Sequence, residues 1–79
     1  MENAKVLKEG RIETAKDRLP SQITLRQTDD KTFATHLKVY PPDKEPYFIL
    51  GRYFFSFQEA EADFAKRVQE LSASMKGTK

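Results

Sequence analysis

The chain has 79 residues, which is enough for one domain and too few for a second hydrophobic core. It contains no cysteine and only one histidine, which excludes a disulfide scaffold, thiol chemistry and a structural zinc site. Fourteen basic and 12 acidic residues give a net charge of +2, too small to identify a nucleic-acid-binding protein by itself.

Residues 1–20 are rich in charged side chains and poor in apolar ones. They predict a partly ordered N-terminal arm, in which residues 11–18 form a short helix ended by Pro20, or the whole arm orders only against a partner. The same stretch has no hydrophobic signal-peptide region, and no apolar run in the sequence is long enough to cross a membrane. We therefore expect a cytoplasmic protein without a membrane partner.

Alternation of apolar and polar residues begins after Pro20 and predicts two strands, and a dense run of aromatic residues predicts a third. Ile23 and Leu25 mark the first strand, residues 33–40 the second and residues 47–55 the third. The loop between the last two strands contains three prolines, which cannot donate to a strand ladder. The three strands are expected to pair in sequence order as an antiparallel meander.

The segment after the third strand predicts an amphipathic helix over residues 57–74. Ser56 to Glu59 has the sequence of a capping box, in which a hydroxyl and a carboxylate satisfy free amides at the helix start. Apolar side chains then recur every three or four residues and form one stripe. The members of this stripe are Ala60, Phe64, Val68, Leu71 and Met75.

These elements predict an α+β fold. The expected architecture is a three-stranded antiparallel β-meander with one C-terminal α-helix packed on one face. Residues 21–75 form this single domain, residues 1–20 the partly ordered arm, and residues 76–79 a frayed tail.

The third strand carries apolar side chains on both faces if its pleat is regular. A bulge at Gly51 would reverse the alternation after that point. We expect four residues of this strand to face inward: Phe48, Leu50, Tyr53 and Phe55. Arg52 then faces outward, because an unpaired buried guanidinium is costly.

With this register, basic and aromatic side chains share the sheet face that the helix leaves open. Cations neutralise phosphates and rings stack on bases, so this face suits nucleic acid. The candidate nucleic-acid-binding residues are Arg26, His36, Lys38, Tyr40, Tyr47 and Arg52. The same composition also suits a protein interface, and an ordinary solvated sheet face is the third interpretation.

Residues 50–53, Leu-Gly-Arg-Tyr, are followed by Glu-Ala-Glu-Ala at residues 59–62. This pattern resembles the end of the third strand and the start of the helix in plant Apetala-type and integrase arm-type N-terminal DNA-binding domains. The resemblance implies that the sheet enters the DNA major groove, with Ile49 and Arg52 on the DNA side. Unlike the plant domains, the chain has no tryptophan.

The sequence shows no catalytic constellation. His36 is most simply a surface or edge histidine, and neither a cysteine nor a Gly-x-Ser-x-Gly turn provides a nucleophile. The acidic pairs at residues 29–30 and at Asp43 and Glu45 lie in turns and lack the spacing of a calcium loop. We expect a protein that is not an enzyme and has no cofactor or metal.

Two functional hypotheses remain. The first is a small accessory protein that binds nucleic acid through its basic and aromatic sheet face. The alternative is a protein–protein interaction module, such as a small regulator, inhibitor or subunit. It would use the sheet face or a strand edge, and it would be able to form a homodimer.

Overall fold

The computed structural model describes residues 4–76, and of Lys76 only the backbone. The elements are β1 (Lys5–Glu9), β2 (Glu13–Ala15), β3 (Arg18–Asp29), β4 (Thr32–Val39), β5 (Tyr47–Phe54) and α1 (Phe57–Lys76). The strands form one antiparallel sheet in the order β1-β3-β4-β5, and β2 also pairs with β3. The α+β class is confirmed, whereas the expected three strands are five. Of the predicted frayed tail, residues 77–79 lie outside the described residues.

The two additional strands come from the segment that was expected to be a partly ordered arm. Residues 5–20 form β1, β2 and the beginning of β3, so the short helix considered for residues 11–18 is wrong. A bulge between Val6 and Lys8 interrupts the pairing of β1 with β3, and most side chains of β1 are exposed. Such a strand lacks the alternation that identifies a half-buried strand in sequence.

The helix α1 packs across the face formed by β3 and β4. Ile23, Leu71 and Met75 are buried in the core, which the partly buried side chains of Ala15, Leu37, Phe64 and Val68 complete. The predicted apolar stripe is therefore the packed face of the helix. At its start, the Glu59 N–H donates to Ser56 Oγ at 3.3 Å, which is the predicted N-cap interaction. In the part of the chain that the structure describes, no helix is long and apolar enough to cross a membrane.

The pairing of β5 with β4 shifts at positions 50 and 51. Thr35 pairs with Arg52 and Leu37 with Ile49, so two residues of β5 lie opposite the one residue between them on β4. Leu50, at this bulge, has a φ of 56°, in the left-handed region that non-glycine residues seldom adopt. The predicted bulge is therefore confirmed.

The bulge orients β5 in the opposite sense to the one expected from sequence. Arg52 faces α1, where its Nη1 donates to Asp63 Oδ1 at 2.7 Å. The residues paired with the core-facing positions of β4 are Tyr47, Ile49, Arg52 and Phe54. The inward placement of Phe48, Leu50, Tyr53 and Phe55 is wrong, because pairing of Arg52 with a carboxylate removes the cost that seemed to force it outward.

Asp63 joins the helix to both β4 and β5. Thr35 Oγ1 donates to Asp63 Oδ2 at 2.7 Å, while Arg52 holds the other carboxylate oxygen. Thr35 in turn accepts hydrogen bonds from Arg67 Nη1, at 3.0 Å on its hydroxyl and 3.4 Å on its carbonyl. Thr35 and Arg67 are buried, so this small polar network satisfies groups that would be costly if left alone.

Replacing Asp63 by Ala is expected to lower the free energy of unfolding by about 2 kcal/mol, because two donors lose a charged acceptor. Arg52→Ala removes one exposed partner and is expected to cost less than about 1 kcal/mol. Urea unfolding of both variants and the wild type measures the difference. Equal losses for the two variants would contradict the joining role of Asp63.

Candidate nucleic-acid interface

The sheet face opposite α1 is formed by side chains that alternate with the core positions; we call it the outer face. Cross-strand pairs place Thr24 beside His36 and Lys38 beside Phe48. The candidate site on this face is formed by seven residues of β3, β4 and β5: Thr24, Arg26, Ala34, His36, Lys38, Phe48 and Tyr53. Tyr40, just beyond β4, lies at the same face, where its hydroxyl donates to Gln22 Oε1 at 2.6 Å.

The ring of Phe48 lies at the centre of the outer face and carries two cations. The Arg26 guanidinium carbon is 4.1 Å from its centroid, and Lys38 Nζ is 5.6 Å away. Lys38 Nζ is also 5.1 Å from the centroid of Tyr40. These distances are within the range of cation–π attraction. Among the described residues, neither cation forms an ion pair, so both charges remain available to an anionic partner.

The imidazole of His36 contacts two aromatic rings of β5. Its imidazole meets Phe48 and Tyr53 edge to face, with centroids 5.5 Å and 5.9 Å apart. The backbone of Gly51 lies directly beside this ring. A Cβ atom added to Gly51 would lie only 2.5 Å from His36 Nε2. The expectation of a surface or edge histidine is wrong, since only 8% of this residue is exposed and it belongs to a central strand.

The charge state of His36 is controlled by its surroundings. Burial lowers the pKa of His36 below its ordinary value, and the positive charges of Arg26 and Arg67 lower it further. The imidazole is therefore neutral at pH 7. It acts on the outer face through its ring and its hydrogen-bonding atoms rather than through a positive charge.

Three buried polar atoms of the outer face have no hydrogen-bond partner among the described residues. They are Thr24 Oγ1, Arg26 Nε and His36 Nδ1. Thr24 and His36 are cross-strand partners, and Arg26 is the next residue of β3 on the same side. Buried polar groups are normally paired, and these three atoms are enclosed, so the packing of the outer face leaves hydrogen bonds unmade at this place. No cluster of His, Asp and Glu within residues 4–76 could hold a metal ion.

Four of the six candidate residues share the outer face: Arg26, His36, Lys38 and Tyr40. Tyr47 and Arg52 do not, because they pair with Val39 and Thr35 on the side of α1. Sequence reasoning missed Phe48 and Tyr53, which take their places. Asp63 is the sequence signal that could have located them, since a carboxylate beside the apolar stripe of a helix needs a donor from the facing strands.

Comparisons of the chain with protein-family models, curated proteins and solved structures give no match. The resemblance to Apetala-type and integrase arm-type domains therefore stays a prediction. Its implied contacts do not share one face with the cations, because Ile49 and Arg52 lie on the side of α1.

Gly51→Ala is expected to lower the free energy of unfolding by about 1–3 kcal/mol, because the added methyl group displaces the imidazole of His36. The same substitution in a His36→Ala background should cost much less, since the clashing ring is absent. Urea unfolding of the two single variants and the double variant measures the coupling. An unchanged cost in the His36→Ala background would contradict the close packing.

Acid is expected to destabilise the protein through His36. The unfolded chain takes up a proton near the ordinary pKa of 6.5, whereas the folded state resists it, so stability is present above this pH and lost as the pH falls below it. Hydrogen bonding from Lys31 lowers the pKa of Asp29, whose contribution is lost only at much lower pH. Unfolding midpoints between about pH 5 and 7.5 should fall more steeply for the wild type than for His36→Gln. Parallel profiles would refute this assignment.

Proposed function

We propose that the protein binds single-stranded nucleic acid on its outer face and acts as a small accessory protein without enzyme activity. One observation supports this more than any other. Two cations that have no carboxylate partner among the described residues and three aromatic rings lie together on a face that α1 does not cover. Phosphates and bases are the ligand groups that match these two features.

The rings favour a single strand over a duplex. Tyr53 is 64% exposed on the outer face, where an unpaired base can stack on it. Bases in a duplex are already stacked on one another, so they have no free face to place on this ring. Stacking is worth about 1–3 kcal/mol per base and does not depend strongly on sequence.

The electrostatic contribution is expected to be modest. Arg26 and Lys38 provide two phosphate contacts per subunit, which for a single strand gives a log–log salt slope of about −1.4. Both cations rest against rings, so less side-chain freedom is lost when they meet a phosphate.

A fluorescein-labelled oligothymidine, titrated at low salt, should bind more tightly than a hairpin duplex of the same length. Tyr53→Ala should weaken this binding by about 1–3 kcal/mol, because one stacking platform is lost. Phe57→Ala is the matched control: it removes a partly exposed aromatic ring at the start of α1, outside β5 and away from the outer face. Equal losses for the two variants, or no binding by the wild type, would refute the proposal.

A second pair of variants tests the cations. Lys38→Gln removes a charge from the outer face, while Lys66→Gln removes one from an exposed position of α1. The first should weaken binding and reduce the salt slope by about 0.7, and the second should leave both nearly unchanged. The same salt slope in both variants would contradict phosphate binding at the outer face.

A further inference from the structure

The two edges of the sheet differ in their protection. β1 is a five-residue strand with three charged side chains, which are features that discourage pairing with another chain. β5 forms the opposite edge, and within residues 4–76 the one strand that pairs with it is β4. Its eight residues contain no proline, and their one formal charge belongs to Arg52, which Asp63 neutralises. β5 thus lacks the charges that keep β1 apart from other strands.

Apolar side chains are exposed on both sides of this edge. Six of them between positions 47 and 55 are 37–83% exposed: Tyr47, Phe48, Ile49, Leu50, Tyr53 and Phe55. At about 200 Å² for each fully exposed side chain, they present roughly 650 Å² per subunit. A standard stable interface buries about 800 Å² per partner, and these side chains would supply the apolar part of such an interface.

The bulge makes β5 complementary to itself. On either side of positions 50 and 51, the residues at 47, 49, 52 and 54 all face α1, while those at 48 and 53 face outward. A two-fold axis between positions 50 and 51 would therefore set each residue opposite one on the same side of a second copy. Tyr47 would meet Phe54 of the second copy, and Phe48 would meet Tyr53, which are favourable aromatic cross-strand pairs.

The same arrangement avoids charge repulsion. Arg52 would lie opposite Ile49 of the second copy rather than opposite the second copy's arginine. Without the bulge, positions related by this axis would lie on opposite faces of the sheet and could not pair. A strongly charged partner would meet no unpaired opposite charge on β5. In an identical strand, by contrast, each paired residue of β5 would lie opposite a residue on the same side of the sheet.

We propose that β5 pairs antiparallel with β5 of a second copy, about a two-fold axis at the Leu50–Gly51 bulge. The two sheets then form one continuous sheet, and the exposed edge is removed. The added burial would also stabilise a chain whose single small core buries a limited share of its surface.

Light scattering on the wild type, without nucleic acid, should give twice the 9.2 kDa mass of one chain. Leu50→Lys should give a folded monomer, because this exposed side chain can carry a charge in the subunit but not at a paired edge. Val6→Lys is the matched control on β1, where an exposed apolar residue receives the same charge and the dimer should persist. A wild-type monomer, or loss of the dimer in Val6→Lys alone, would overturn the proposal.

Cross-linking tests the position of the axis. The chain has no cysteine, so Leu50→Cys introduces a single thiol beside the proposed two-fold axis. Mild oxidation should link two copies of this variant through a disulfide much faster than two copies of Val6→Cys. Equal rates would overturn the proposed pairing. Neither experiment contains nucleic acid. A negative result would therefore refute the dimer without bearing on whether the outer face binds an oligonucleotide.

Discussion

The ion pair between Arg52 and Asp63 is compatible with only one orientation of β5, the one in which Arg52 lies on the side of α1. In this orientation the guanidinium is half exposed and paired, so it carries no buried unpaired charge. Because Asp63 also accepts a hydrogen bond from Thr35, the carboxylate ties two neighbouring strands to α1 at one point. Phe48 and Tyr53 are consequently on the outer face, where they meet His36 and the cations. The orientation of β5 that brings Arg52 to Asp63 is thus the same one that brings two aromatic rings to the candidate site.

Local features allowed much of the fold to be predicted from sequence. The cap at Ser56 and the stripe ending at Met75 identify α1, because both depend on residues close together in the chain. β3 and β4 show alternation and β5 is a run of aromatic and aliphatic residues, whereas β1 has neither pattern, since it is exposed and bulged at the sheet edge. The bulge could be located from Gly51, but its consequence could not be predicted. Arg52 turns to the side of Asp63, a partner on another element that the pattern of the strand does not reveal.

At a bulge, glycine often both adopts a positive φ and leaves room for a neighbouring side chain. Here two different residues have these two properties. Leu50 takes the positive φ, although its side chain makes that conformation costly by about 1–3 kcal/mol. Gly51 has an ordinary φ and instead provides space for the imidazole of His36. Arg52 pairs with Asp63 on one side of the sheet and His36 packs beside Gly51 on the other, so contacts on both faces flank this point. In the proposed dimer it lies next to the two-fold axis.

A single helix covers only part of one face of this sheet. Both proposed surfaces are parts of the sheet that the helix leaves uncovered. α1 packs mainly over β3 and β4, which leaves β5 exposed along its edge and the outer face open. The two surfaces meet at Phe48 and Tyr53, which belong to both. In the proposed dimer, Phe48 of one subunit would lie beside Tyr53 of the other, and two outer faces would become one. The cations available to a single nucleic-acid strand would rise from two to four, with a salt slope near −2.8. Self-association at β5 would therefore compensate for the small charge of each subunit, and the edge and the outer face would serve one function.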